Sequence, residues 1–84
     1  MHVEFLGIPR ERAGISETEV EAETLGQLLA MLAVRFPALR ELITTDRLDS
    51  SMAANLNGDA FVSDPNTSLA ASDRVLLLSA DVGG

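Results

Sequence analysis

The sequence predicts a single α+β domain in which a mixed sheet of about five strands is wrapped around one main helix. Three observations predict this class: segments with period-two alternation, one leucine-rich segment with helical spacing, and a continuous apolar run near the C-terminus. With 84 residues, of which 46% are hydrophobic, the chain has enough apolar material for one core but not for two. Aromatic residues are only 4%, so we expect an aliphatic core.

The first two strands are predicted before residue 24. The segment His2–Leu6 alternates apolar and polar residues and predicts a strand, after which Gly7, Pro9 and Gly14 predict a long turn. Ile15–Glu23 again has a period of two, with an acidic outer stripe formed by Glu17, Glu19, Glu21 and Glu23. A solvated strand edge that resists aggregation explains this stripe better than a docking surface for a basic partner.

The main helix is predicted after residue 24. Thr24 and Gln27 have the spacing of a capping box, and apolar residues then follow at helical intervals until Pro37: Leu25, Leu28, Leu29, Leu32 and Phe36. A short second helix is predicted beyond the proline from an apolar triplet, Leu39, Leu42 and Ile43. The polar segment Thr44–Ser51 predicts a loop.

The C-terminal half predicts three further strands. Met52–Leu56 and Ala60–Ser63 flank Asn57-Gly58, a dipeptide that favours a tight hairpin. The segment from Arg74 to Leu78 contains a continuous apolar run, Val75-Leu76-Leu77-Leu78, as in a central strand that is buried on both faces. Pairing the first and last strands in parallel produces the β-grasp, or ubiquitin-like, architecture. We predict a β-grasp domain at residues 1–78 and a flexible C-terminal tail at residues 79–84, ending in Gly-Gly.

Composition excludes several classes of function. The chain has no cysteine, which excludes disulfides, thiolate metal sites and a cysteine nucleophile, and it has no lysine to form a Schiff base. Its formal charge of −7 disfavours nucleic acid and anionic membranes as partners. Neither a targeting segment nor an apolar stretch of about 20 residues is present, so we expect a cytoplasmic location.

Side chains suited to catalysis are scarce. His2 is the only histidine, and the pattern places it on an exposed strand face. Glu17, Glu19 and Glu21 are better explained as a solvated stripe than as a general acid and base. We therefore expect a non-catalytic protein with no metal site and no bound cofactor.

The most informative segment is Asp81-Val82-Gly83-Gly84, which follows the last predicted strand directly. A terminal glycine has no Cβ, so its carboxylate can enter a narrow active site of another enzyme. Six extended residues reach roughly 20 Å, far enough to do so while the domain docks outside. Because a carboxylate is a poor electrophile, it needs activation, and we expect this to occur as an acyl adenylate formed by a separate enzyme that uses ATP. Displacement of AMP by a sulfur donor then leaves a thiocarboxylate, which requires no cysteine in this chain.

The sequence resembles the MoaD/ThiS family of sulfur carriers, and within it the small subunits of molybdopterin synthase. The likeness spans nearly the whole chain and is carried by four stretches: Val3-Glu4-Phe5-Leu6-Gly7 running to Arg10-Glu11 and Gly14, the helix with Arg35-Phe36-Pro37, the hairpin Leu56-Asn57-Gly58, and Asp73-Arg74-Val75 leading to Gly83-Gly84. No single stretch is specific for the family, but their order along the chain and the terminal glycine pair make the match more specific.

This resemblance implies the chemistry and the partners. Gly84 is expected to be adenylated by an E1-like (MoeB-like) enzyme and converted to a transient thiocarboxylate, with Gly83 supplying clearance in a tail that also contains Val82 and Asp81. The tail would then enter a large (MoaE-like) synthase subunit, which uses the sulfur to convert a pyranopterin precursor to molybdopterin. Phe61 and Leu78 occupy positions where the family presents apolar contacts to its partner, although both fit a plain core role equally well.

Two alternatives remain open at this stage. One keeps the thiocarboxylate but changes the acceptor, to thiamine thiazole, cysteine or methionine synthesis, or tRNA thiolation. The other is a ubiquitin-like binding or conjugation module without sulfur chemistry. The tail bears on this choice, because Ser79-Ala80-Asp81 stands where small synthase subunits usually have a proline pair and a valine. Without those prolines we expect a tail that is more flexible and costlier to order on docking.

Overall fold

A computed structural model describes residues 1–44 and 46–80 of the chain. The helices and strands follow in the order β1 (His2–Phe5), α1 (Ile8–Ala13), β2 (Glu17–Glu19), α2 (Leu25–Arg35), a 3₁₀ helix (Pro37–Glu41), β3 (Ile43–Thr44), β4 (Arg47–Leu48), β5 (Met52–Leu56), β6 (Ala60–Val62) and β7 (Arg74–Ser79). None of the helices in these ranges has the length and apolar character needed to cross a membrane.

Five strands form one mixed sheet in the order β2-β1-β7-β5-β6. The first and last strands pair in parallel at its centre, with Val3 opposite Val75, while β2 and β5 pair antiparallel with them. This is the β-grasp arrangement that the sequence predicts. β7 is hydrogen-bonded on both sides, as expected for a central strand. Its side chains Val75 and Leu77 enter the core, and Leu78 is buried on the other face.

The core lies between this sheet and α2. Its most deeply buried members are aliphatic and come from both layers: Val3, Leu25, Leu28, Leu29, Leu32, Leu39, Val75 and Leu77. The rings of Phe5 and Phe36 meet edge to face with their centroids 5.7 Å apart. Burial of aliphatic side chains is therefore the main stabilising term, as the composition predicts.

The start of α2 confirms the predicted capping box. The Thr24 side chain accepts a hydrogen bond from the Gln27 backbone N–H at 3.2 Å, and Gln27 Oε1 accepts one from the Glu23 N–H at 2.9 Å. The helix ends at Arg35, two residues before Pro37, because a residue that precedes proline avoids the helical conformation.

The predicted long turn between Gly7 and Gly14 is wrong, since Ile8–Ala13 forms α1. The glycines and the proline delimit this helix. Pro9 lies in its first turn, where a missing N–H costs nothing, and Gly14 ends it in the left-handed conformation at φ 78°. Arg10 and Glu11 are therefore helical.

Three other predicted segments differ in extent. The second strand covers only Glu17–Glu19, the middle of the predicted Ile15–Glu23. The short helix after Pro37 is a 3₁₀ helix, and Ile43 belongs to β3. The predicted loop 44–51 contains β4, which pairs with β3.

The predicted hairpin is confirmed as β5 and β6. Asn57 and Gly58 both have positive φ, 57° and 73°, the conformation that an Asn-Gly turn supplies. β7 extends to Ser79, one residue beyond the predicted end of the domain at residue 78, and the Ala80 N–H donates to the Ser51 carbonyl at 2.7 Å.

Candidate functional site

The end of β7 is fixed to the domain from two sides. Ser79 is only 2% exposed, and its Oγ accepts a hydrogen bond from the Ile8 N–H at the start of α1, at 2.9 Å. On the other side, the Ala80 N–H bonds to Ser51 in the loop before β5. Residues 79 and 80 are therefore held at a defined position at the end of the middle strand of the sheet.

The predicted reactive residue Gly84 and the tail residues Gly83, Val82 and Asp81 lie outside the described residues. Their roles stay predictions from the sequence. The described residues fix only the position from which this tail starts.

The face of the sheet opposite α2, here called the outer face, carries an apolar patch of Ala53, Phe61, Leu76 and Leu78. The strand register assembles it: Asn55 lies between Phe61 and Leu76, and Ala53 lies opposite Leu78. Because side chains alternate along β7, Leu76 and Leu78 point away from the core that Val75 and Leu77 enter.

The two predicted partner-contact residues differ in accessibility. Phe61 is 65% exposed, an unusual position for a large aromatic side chain, whereas Leu78 is only 6% exposed. The structure therefore brings both to one face but leaves only Phe61 with a large free area. Leu78 is buried without belonging to the main core.

The other end of the outer face is charged. His2 Nδ1 donates a hydrogen bond to Glu19 Oε1 at 2.8 Å, and His2 Nε2 lies 3.4 Å from carboxylate oxygens of both Glu4 and Glu17. The hydrogen bond to Glu19 raises the pKa of His2 above its ordinary value, and the charges of Glu17, Glu19 and Glu4 add to this while desolvation opposes it.

Sequence reasoning missed this cluster. It treated His2 as an isolated exposed residue and the glutamates as a solvated stripe. Alternation along each strand does predict that His2 and Glu4 share a face, as do Glu17 and Glu19. What brings the pairs together is the antiparallel register, which places His2 opposite Glu19 and Glu4 opposite Glu17.

Comparison with known proteins identifies solved structures with the same fold and a family to which the chain belongs. The chain resembles the solution structure of small archaeal modifier protein 1 (SAMP1) from Methanosarcina acetivorans, with a TM-score of 0.78 and 24% identity over 99% of this chain and 94% of that chain. It also resembles the crystal structure of H. volcanii SAMP1, with a TM-score of 0.66 and 25% identity over 93% of this chain and 95% of that chain.

A third similar structure is the BexX/CysO complex from Amycolatopsis orientalis, with a TM-score of 0.79 and 19% identity over 99% of this chain and 98% of that chain. A search of curated protein sequences finds no match. The ThiS family model, in contrast, matches residues 3–84, nearly the whole chain. Small carriers of this kind are generally non-catalytic and work with E1-like enzymes and partner enzymes. The chain belongs to the ThiS family of ubiquitin-like sulfur carriers and modifiers.

Proposed function

We propose that this chain is the sulfur-carrying small subunit of a molybdopterin synthase. The observation that carries the sulfur-carrier part of the proposal is the extent of the family match, which reaches residue 84 and so includes Gly83-Gly84. This pair follows a central strand whose last residues are held by hydrogen bonds to Ile8 and Ser51. The chain would thus act as a non-catalytic donor within a larger enzyme.

The proposed chemistry takes place on the Gly84 carboxylate. An E1-like enzyme transfers AMP from ATP to this carboxylate and releases pyrophosphate, which makes the carbonyl carbon electrophilic. Hydrosulfide released by a sulfur donor then forms a C–S bond to this carbon as the C–O bond to AMP breaks, and loss of the proton leaves a thiocarboxylate. The absence of cysteine from the chain is compatible with this scheme because the transferred sulfur resides on the terminal glycine.

The apolar patch supports a docking role for the domain. Phe61 offers a large exposed aromatic surface on the outer face, and aromatic side chains of this kind often dominate the energy of an interface. The patch and the end of β7 lie on the same sheet. An enzyme that binds the patch would therefore receive the tail at a defined position, which is the arrangement that a carrier needs.

The molybdopterin assignment rests on the sequence resemblance. The Arg10-Glu11 segment, which is part of α1, favours a synthase small subunit over the thiamine-type carriers. The similar SAMP1 structure, whose name is that of a modifier protein, keeps one further candidate in view, and the sequence itself leaves a second. These are a protein modifier and a thiocarboxylate donor to another acceptor.

The first test is the intact mass of the purified chain after incubation with ATP, an E1-like adenylating enzyme and a sulfur donor. We expect a mass increase that corresponds to replacement of one oxygen by one sulfur. A chain that lacks Gly84 is the control and should remain unchanged. Failure of the full chain to shift with a cognate enzyme would contradict the carrier proposal.

A second test identifies the acceptor. The thiocarboxylated chain is mixed with a MoaE-like large subunit and the pyranopterin precursor, and we expect loss of sulfur from the chain together with formation of molybdopterin. A chain that carries sulfur but does not deliver it to the pterin would overturn the molybdopterin assignment alone. A covalent adduct to other proteins that survives reducing denaturing gels and depends on Gly84 would favour the modifier.

A further inference from the structure

The charged end of the outer face brings four ionisable side chains from two adjacent strands together. β1 contributes His2 and Glu4, and β2 contributes Glu17 and Glu19. Within this group, one ligand atom each from His2, Glu4 and Glu17 lies within 4.8 Å of the other two. Glu19 is on the opposite side of the imidazole ring, at Nδ1.

The hydrogen bond between His2 and Glu19 determines which nitrogen carries the proton in the neutral imidazole ring. An ionised carboxylate can only accept, so Nδ1 carries the proton, and in the neutral ring Nε2 then has a free lone pair. Histidines that bind metals characteristically donate their second ring N–H to a carboxylate in this way, because the bond orients the ring and raises its basicity. The lone pair of His2 faces Glu4 and Glu17.

The distances on the Nε2 side match a coordination site. Nε2 lies 3.4 Å from Glu4 Oε1 and 3.4 Å from Glu17 Oε2, longer than a good N–H···O hydrogen bond of about 2.7–3.2 Å. In a tetrahedral site with metal–ligand bonds of about 2.0–2.1 Å, the ligand atoms lie about 3.3–3.4 Å apart. The two distances from Nε2 therefore equal edges of such a tetrahedron.

We propose that His2, Glu4 and Glu17 bind a divalent transition-metal ion of the zinc type, with Glu19 orienting the imidazole. One nitrogen and two carboxylate oxygens are a donor set that zinc accepts, and three protein ligands leave a fourth position for water. Arg74 holds Glu4 through an Nη2–Oε1 contact of 2.8 Å. The same oxygen lies 3.4 Å from His2 Nε2, so Arg74 holds the proposed ligand atom of Glu4 in place.

Electrostatics favours a cation at this position. Glu4 and Glu17 are directly opposite each other on antiparallel strands, where two like charges are destabilising. Among the described residues, the fixed cations that contact these carboxylates are Arg74, at Glu4, and the Met1 amino group, 4.0 Å from Glu19 Oε2, whereas Arg35 binds the Glu19 backbone carbonyl. Three carboxylates face these two cations, so negative charge remains when His2 is neutral. A divalent ion bound between Glu4 and Glu17 would offset the repulsion between these two carboxylates.

The site is open to solvent, which determines how readily an ion can exchange. The side chains of His2, Glu4 and Glu17 are 24%, 39% and 61% exposed. An ion can therefore enter and leave without any rearrangement of the domain. We expect reversible binding that stabilises the folded chain as the metal concentration rises, because the pair of strands that forms the site does not exist in the unfolded chain.

The test is a titration of the full-length, untagged, chelator-treated chain with ZnCl₂ at a pH where His2 is neutral, followed by calorimetry and by NMR of the imidazole. His2 is the only histidine in the sequence, so its ring signals are assigned without ambiguity. We expect saturable binding of one ion, a shift of the His2 ring signals and a higher Tm. Absence of saturable binding would overturn the proposal.

Matched variants separate coordination from general attraction to acidic charge. Glu17→Gln removes a ligand and Glu19→Gln removes the orienting carboxylate, and each should weaken zinc binding by about 10-fold or more. Glu21→Gln removes one charge from the same acidic segment outside the cluster and should leave the affinity unchanged. Equal loss in all three variants, or equal binding of Mg²⁺ without a change in the His2 signals, would contradict a defined site.

Discussion

Gly26 is buried in the first turn of α2, against the loop that contains Pro65. A Cβ at this position would lie 3.0 Å from Pro65 Cβ, 3.2 Å from the Pro65 carbonyl oxygen and 3.2 Å from Asp46 Cβ. The same carbonyl accepts a hydrogen bond from the Gly26 N–H at 2.9 Å, so the loop cannot move away without losing it. The absence of a side chain is thus a packing requirement of this contact.

We predict that Gly26→Ala lowers the free energy of unfolding by about 1–3 kcal/mol, as overpacking does in well-packed regions. This loss should exceed the gain of about 1 kcal/mol that alanine offers over glycine inside a helix. Urea denaturation measures the change. Ala30→Gly, on the exposed side of the same helix, should lose only the propensity difference of about 1 kcal/mol. An increase in the stability of Gly26→Ala would contradict this prediction and would show that the loop moves to accommodate the added methyl group.

Ser79 is a second residue whose role depends on one contact. Its buried hydroxyl accepts from the Ile8 N–H, the first helical donor of α1, which has no partner within the helix. We predict that Ser79→Ala costs about 1–3 kcal/mol of stability, because it leaves this N–H without its acceptor. Ser63→Ala, at an exposed position, is the control in a thermal unfolding experiment. Equal Tm values for the two variants would contradict this role.

At the scale of elements, long periodic segments could be predicted from the sequence, and short ones could not. α2 has eleven residues, a capping box and a leucine stripe, and β7 has a continuous apolar run. α1 has six residues between Gly7 and Gly14, and the residues that delimit it are those that also favour turns. β3 and β4 have two residues each, too few for any period to be detected.

The loop before β5 contains a carboxylate whose environment predicts a pH dependence. The pKa of Asp49 is lowered first by a hydrogen bond from the Ser51 hydroxyl and then by bonds from the backbone N–H groups of Ser51 and Ser50. A folded pKa below the unfolded one means that the ionised form is favoured in the folded state. Its contribution is present above the unfolded value, about 3.9, and is lost as the pH falls through the folded value.

We therefore predict that Asp49→Asn is less stable than the parent chain at neutral pH and that the difference shrinks as the pH falls below about 3.9. Urea denaturation at a series of pH values measures it. Asp59→Asn, an exposed carboxylate in the turn between β5 and β6, controls for the loss of one negative charge. A stability difference between Asp49→Asn and the parent that stays constant with pH would contradict the mechanism.

At the scale of the whole molecule, the two ends of the outer face differ in how much of each could be predicted. Phe61 and Leu78 were assigned to a partner surface by resemblance, and the sheet brings them to one face. The cluster around His2 could not be predicted from alternation alone. It requires the register between β1 and β2, and a shift of one residue would move the glutamates to the other face. Register depends on turn geometry and core packing, which local patterns do not contain.

The apolar patch leads to a prediction about recognition by the whole domain. Phe61 is 65% exposed on the outer face, and Val34 is 74% exposed on α2, in the helical layer on the opposite side of the sheet. Because neither side chain is buried, truncation of either should change stability by at most about 0.5 kcal/mol.

If partner enzymes bind the carrier through the sheet and receive the tail from the end of β7, only Phe61 should affect their binding. We predict that Phe61→Ala weakens binding to an E1-like enzyme or a large synthase subunit by about 10-fold or more, as loss of a central aromatic contact does. Val34→Ala should leave binding unchanged, and calorimetric titration of both variants measures the difference. Equal weakening by both, or an effect of Val34→Ala alone, would move the docking surface from the sheet to the helix.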